Sequence, residues 1–182
     1  MLMIHIRSLQ LVKNFNIYKS WILYILILPF FFSCTAYNNK MNKTFQNWKK
    51  LKENKIVMQQ FDFSCGAAAL ATLLTYYFED PVSEQTILLD IMELLPKDLI
   101  LNRKQKGLSL LDLKKYCETR GYKAYGVKLK PSSLLKLTCP ILIYLEINND
   151  RHFSILRGFR GNRVVLADSN KGNVQVPIDR FL

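Results

Sequence analysis

"RHFSILRGFRGNRVVLAD", residues Arg151–Asp168, reads as two strands around a tight reversal. "RHFSILRGF" and "RVVLAD" are rich in β-branched and aromatic residues, and the "RGN" between them carries the turn chemistry. A hairpin here makes the sheet antiparallel. It also has a consequence for chemistry. With a three-residue loop Phe159–Gly161, His152 stands directly opposite Asp168 and projects from the same face, within hydrogen-bonding reach. An imidazole oriented by a carboxylate then needs only a nucleophile to complete a catalytic constellation.

Working outward, "YKAYGVKL" and "PILIYLEI" precede the hairpin as further strands, with "NND" as a turn. Upstream the periodicity changes. "CGAAALATLLTYYF", Cys65–Phe78, is dense in Ala and Leu and is closed by "EDP", so it reads as a largely buried helix. "VSEQTILLDIMELL" reads as a second helix capped by Ser83, and "NRKQKG" as a polar connection. "LSLLDLKKYCETRG" is a third helix, with Ser109 to cap it and Gly121 to end it. Helices first and strands afterwards give an α+β domain, its antiparallel sheet packed against the helices.

Charge does not point to nucleic acid. Of the net +12, residues 1–58 carry the larger part, nine basic residues against the single acid Glu53. No nucleic-acid motif and no metal-ligand spacing is present, so neither a nucleic-acid partner nor a metal or other cofactor is expected. The excess sits in a leader and tether, where it suits export or anionic lipid. After Arg7, Lys13 and Lys19 comes an apolar run from Trp21 to Phe32, too short for a comfortable membrane span but suited to a signal-peptide core. It ends at Ser33-Cys34, similar to the lipobox of bacterial lipoproteins. Residues 1–34 therefore read as a signal peptide with lipidation of Cys34, or as an uncleaved signal anchor. Residues 35–55 form a polar, basic tether with a short helix around Trp48, and 56–182 form the globular domain. The expected location is the bacterial cell envelope, membrane-anchored on its extracytoplasmic face.

The nucleophile is Cys65. It opens a buried helix, where amide dipoles and orphan N–H groups favour a thiolate. His152 lies outside the leader, which holds the only other histidine, His5. The developing oxyanion requires donors, the Cys65 backbone N–H and a side-chain amide from Gln59 or Gln60. Plainer readings exist for each residue taken alone. Cys65 can be a small packed thiol or pair with Cys117 or Cys139, and His152 and Asp168 can be ordinary strand residues. It is their conjunction that points to catalysis.

"QQFDFSCGAAAL", "RHFSILRG" and "VVLAD" together resemble the bacteriocin-processing, double-glycine leader peptidases, a family of papain-like cysteine peptidases. The resemblance runs from about Ile56 to the end of the sequence. It implies a papain-like fold with Cys65 as nucleophile, His152 as acid–base, Asp168 as its orienting partner and Gln59, six residues before the cysteine, in the oxyanion hole. It implies no cofactor, a peptide or protein substrate held in extended form, and cleavage after small residues such as a Gly-Gly pair. Without transporter segments, the chain is similar to the stand-alone, exported branch. The family usually continues past "VPIDRFL" into another helix-and-strand segment, so the domain is expected to be short at its C-terminus. A membrane-tethered module that keeps the groove and grips a peptide without cutting it is the alternative reading.

If the leader reading is right, the mature chain begins at a lipidated Cys34. Intact-mass analysis of the membrane fraction checks this, and a mature chain still beginning at Met1 overturns lipidation.

Overall fold

The computed structural model describes residues 7–13, 47–147 and 150–182. The apolar run Trp21–Phe32, the Ser33-Cys34 pair and His5 lie outside the described residues. In chain order the elements are β1 (Arg7–Lys13), α1 (Trp48–Lys52), α2 (Cys65–Tyr77), α3 (Glu84–Leu94), α4 (Lys97–Lys106), α5 (Leu110–Thr119), β2 (Tyr122–Lys128), α6 (Pro131–Leu134), β3 (Ile141–Ile147), β4 (Asp150–Arg160), β5 (Arg163–Asp168), β6 (Gly172–Pro177) and α7 (Ile178–Phe181). The strands make one sheet in the order β2-β1-β3-β4-β5-β6, every neighbouring pair antiparallel. β1, inside the segment read as a leader, pairs between β2 and β3. Among the described residues no helix is long and apolar enough to cross a membrane.

The helix signals hold where a cap or a glycine supplies them. Ser83 Oγ accepts from the Thr86 amide at the start of α3. Ser109 and Asp112 form a reciprocal capping box on α5, and Gly121 takes φ +78 just past its end. One expectation fails: "NRKQKG" belongs to α4 and is not a connection. α4 buries no residue, so it has no apolar period to betray it, yet Pro96 starts it and Gly107, with φ +78, stops it. Its interior is built mostly from good helix formers, which suffices with those two end signals.

α2 is buried continuously from Cys65 to Leu74. Its small residues let neighbours approach closely, most tightly at Gly66. A Cβ there would lie 3.1 Å from the Phe153 ring and 3.4 Å from Leu113. The first turn of α2 is thereby seated on β4 and α5. One core lies between the sheet and helices α2, α3 and α5, and includes Leu70, Leu74, Ile87, Leu113, Phe153 and Ile155. A second, smaller core on the other sheet face gathers Leu134, Ile143, Leu145, Leu166 and Phe181 under α6 and α7.

The hairpin departs from the expected register. Its loop is two residues, Gly161-Asn162, flanked by the pair Arg160↔Arg163, with Gly161 at φ +57 in the first central position, where a type II′ turn needs glycine. Carried regularly along the strands, that turn would set His152 and Asp168 on opposite faces, because side chains alternate with period two. A bulge between Leu156 and Gly158 leaves Arg157 unpaired and corrects the parity. Asp168 then stands opposite Ser154, two residues from the expected partner His152 but on the same face. Gly158 takes φ +141 at the bulge, a conformation that other residues rarely adopt.

Candidate active site

Cys65 is the first residue of α2, buried at 9% exposure. Ser64 does not cap the helix with its side chain. Its Oγ instead donates to the Phe61 carbonyl at 2.6 Å and accepts from the Phe61 amide at 3.2 Å, folding residues 61–64 into a tight turn that delivers the cysteine.

His152 lies in the first turnings of β4, and Asp168 ends β5. The diagonal relation across the ladder is within reach of side chains of this length. His152 Nε2 meets Asp168 Oδ2 at 2.9 Å. The other carboxylate oxygen, Oδ1, accepts the amides of Asn170 at 2.9 Å and Lys171 at 2.8 Å. The carboxylate is therefore fixed from two sides before it orients the ring. Nδ1 is the nitrogen left for the Cys65 thiol, whose contact with the ring is part of the electrostatics of the site.

Those electrostatics favour an imidazolium. Burial pushes the His152 pKa down, but the hydrogen bond and charge of Asp168, with the interaction of Cys65, more than reverse this and raise it to about 9. Asp168 shows the converse. Burial raises its pKa, and the His152 hydrogen bond and charge together with the two backbone amides hold it below the usual value. Cys117 is different: burial pushes its thiol up to about 12, and it packs in the core as a plain apolar residue. Cys65, Cys117 and Cys139 are all free, so the alternative of a disulfide from Cys65 is not realised.

The two glutamines part company. The Gln59 amide donates to the Ser169 carbonyl at 2.9 Å, and its side-chain Oε1 accepts from Ser169 Oγ at 3.1 Å. Its NH₂ group keeps only a long 3.4 Å contact to the Phe61 carbonyl. Gln60 is engaged by α3: its amide donates to both oxygens of the buried Glu84 at 3.1 Å, and its Oε1 accepts from Gln85 at 2.7 Å. Ser169 ties Gln59 to the residue next to Asp168, and sequence reasoning missed it. Its position immediately after the aspartate was the available signal. Also missed was Arg157, whose guanidinium reaches Asn173 Oδ1 and donates to the Lys55 carbonyl at 2.6 Å, lashing the bulge to the chain that leads into Gln59.

The sequence of residues 53–182 matches the family model described as Peptidase C39 family. The chain is 33% identical over 141 residues to a probable functional amyloid protease, FapD, of Pseudomonas fluorescens, covering 76% of this chain and 61% of that protein. The corresponding protein of Pseudomonas aeruginosa is 30% identical over 139 residues, with 76% and 60% covered. The chain thus spans about three-fifths of the length of these curated relatives. Among solved structures it is similar to a double-glycine motif protease from an AMS/PCAT transporter in complex with the leader peptide, with a TM-score of 0.55 and 28% identity over 69% of this chain and 81% of that one. The fold is also that of the peptidase domain of Streptococcus ComA, with a TM-score of 0.56, 18% identity, and 69% and 88% covered.

The His152–Asp168 pair ties stability to pH. His152 titrates near 9 in the folded chain against an ordinary 6.5, so its contribution is complete below 6.5 and is lost as pH rises through about 9. Asp168 is lowered from 3.8, so its contribution is present above that value and lost as pH falls below it. Urea unfolding should therefore find Asp168→Asn less stable than wild type by about 1–3 kcal/mol near pH 6. The gap should narrow toward pH 9.5, and a gap of equal size at both values contradicts the pairing.

Proposed function

The chain belongs to the peptidase C39 family, and on that premise we propose that it is a thiol peptidase hydrolysing an extended polypeptide at Cys65. The observation that carries this reading is the 2.9 Å pairing of His152 with Asp168 at the N-terminal end of α2. Cys65 Sγ attacks the scissile carbonyl carbon as the thiolate, its proton resting on His152, and forms the C–S bond as the carbonyl π electrons move to oxygen. His152, already an imidazolium at neutral pH, gives its proton to the amine as the C–N bond breaks. Water then attacks the thioester, His152 takes its proton, and the thiolate leaves with the acid product free.

Asp168 holds the ring in the tautomer that presents Nδ1 to sulfur, and stabilises its charge. The oxyanion is received by the Cys65 backbone N–H, in a first turn where helix amides lack intrahelical acceptors, and by Gln59 Nε2. Ser169 supports Gln59 in that role by occupying the amide oxygen, which leaves the NH₂ group as the end that can be presented.

Cleavage after small residues, Gly-Gly-like, is supported by likeness to the double-glycine motif protease. The name of the Pseudomonas relatives supports a substrate belonging to a functional-amyloid system. Action at the membrane surface rests on the basic, apolar N-terminal segment. Cleavage before Cys34 would withdraw β1 from between β2 and β3, leaving β3–β6 paired and β2 without its ladder partner.

The test is a peptide library incubated with the purified full chain in detergent and read by mass spectrometry. Cys65→Ala should abolish turnover, and Gln59→Ala should lower kcat by about 10²–10³, the usual effect of losing one oxyanion donor. Binding of extended peptides by wild type with no cleavage would make the groove a receptor and overturn the enzyme reading.

A further inference from the structure

α1 buries none of its residues, yet it is firmly held. The Asn173 side-chain amide donates to the carbonyls of Leu51 at 3.3 Å and Asn54 at 3.1 Å. Just past the helix, the Arg157 guanidinium donates to the Lys55 carbonyl at 2.6 Å. Gly172 permits the close approach: a Cβ there would lie 2.6 Å from the Lys52 carbonyl oxygen and 2.9 Å from Lys52 Cγ. Bonds to its main chain thus fix α1 to β6 and to the bulge of β4, in the hairpin that bears His152 and Asp168.

A helix so held presents Trp48 at 77% exposure, the highest of any large apolar side chain among the described residues, and Leu51 at 47%. Three positions apart, the two share a face. Around them lie the exposed Lys49, Lys50, Lys52 and Lys55, with Glu53 as the one acid in the stretch. Partner proteins are a poor match for this surface, because protein interfaces are depleted in lysine. An anionic bilayer matches both halves of it. Tryptophan settles at headgroup level, leucine enters the acyl boundary, and lysines are drawn to anionic lipid. Residues 35–47 separate α1 from Cys34, a stretch spanning at most on the order of 45 Å, so a chain anchored there keeps α1 near the bilayer.

We infer that Trp48, Leu51 and the lysines around them form a second membrane contact, a surface of the folded domain that lies on anionic lipid headgroups. The inference rests on the reading that the protein acts at a membrane surface, and adds a contact independent of the N-terminal anchor. Through Arg157 and Asn173 that contact also orients the hairpin bearing His152 and Asp168 relative to the bilayer.

The test uses the full chain with Trp21→Phe, which leaves Trp48 as its only tryptophan. It is mixed with vesicles of phosphatidylcholine alone, or of phosphatidylcholine and phosphatidylglycerol in equal parts. Sedimentation is measured, and Trp48 fluorescence is read against brominated lipids and aqueous acrylamide. In the anionic vesicles the emission should shift to the blue, lipid bromine should quench it, and acrylamide quenching should fall. High salt should reverse the change. Lys49→Gln, Lys50→Gln and Lys55→Gln together should lower the ratio of lipid-contacting to water-exposed Trp48 about fivefold per charge removed, equivalent to about 1 kcal/mol each. Trp48 remaining in water while the chain sediments with both vesicles overturns the inference and leaves the anchor standing. A blue shift without lipid quenching overturns it in favour of a protein on this face. Quenching equal in both vesicles and unmoved by the lysine changes also overturns it. Sedimentation with anionic vesicles alone, with Trp48 quenched by lipid, upholds the inference and defeats the anchor. Sedimentation with neither defeats both.

Discussion

β4 has one residue more than its pairing with β5 can use, and Arg157 absorbs it. Everything chemical in the molecule depends on that adjustment. The two-residue turn at Gly161-Asn162 sets one parity, and the bulge changes it, so that Asp168 shares a face with His152. The extra residue is also put to use. The Arg157 side chain reaches the carbonyls of Asn54 and Lys55 and the side chain of Asn173, joining the hairpin to the segment that leads into Gln59. Local irregularity and long-range anchoring thus come from one residue.

A second constraint brings the hairpin to the helix. Gly66 lets the Phe153 ring sit on the first turn of α2, and Tyr144 backs that ring with centroids 5.1 Å apart. Phe153 is the neighbour of His152, and Gly66 is the neighbour of Cys65, so the packing contact and the candidate-site contact are one residue apart on both segments. Moving either backbone by a few tenths of an ångström disturbs both. The Gln59 segment is fixed as firmly, by Ser169 on one side and Glu84 on the other. Four side chains from three separate stretches of sequence are therefore held by main-chain bonds and core packing, not by one another alone.

Much of this was legible beforehand, and the reasons differ by element. Ser83, Ser109 and Gly121 announce helix ends because capping is local chemistry. The α+β class and the resemblance to double-glycine leader peptidases followed from the order of elements and the spacing of Cys65, His152 and Asp168. The His152–Asp168 contact was anticipated for a partly mistaken reason: the register was off by two residues, and a shift of two preserves the face. A bulge is not written in the hydrophobic pattern, since Arg157 fits the strand as well as its neighbours do. α4 was hidden by its lack of a buried face, and β6, "GNVQVP", by its glycine and proline ends. The anchor of Gln59, Ser169, had only its place directly after Asp168 to signal it, because the approach of the two segments is set by the fold.

The central claim is that the bulged hairpin holds His152 as a charged ring between Asp168 and Cys65. Side-chain ¹⁵N NMR of the histidines, with His152 assigned by its loss in His152→Ala, measures this directly. A titration midpoint near 9 in wild type, falling toward the ordinary 6.5 in Asp168→Asn, is the result the account predicts. A midpoint at or below 6.5 that does not move when Asp168 is changed would contradict it.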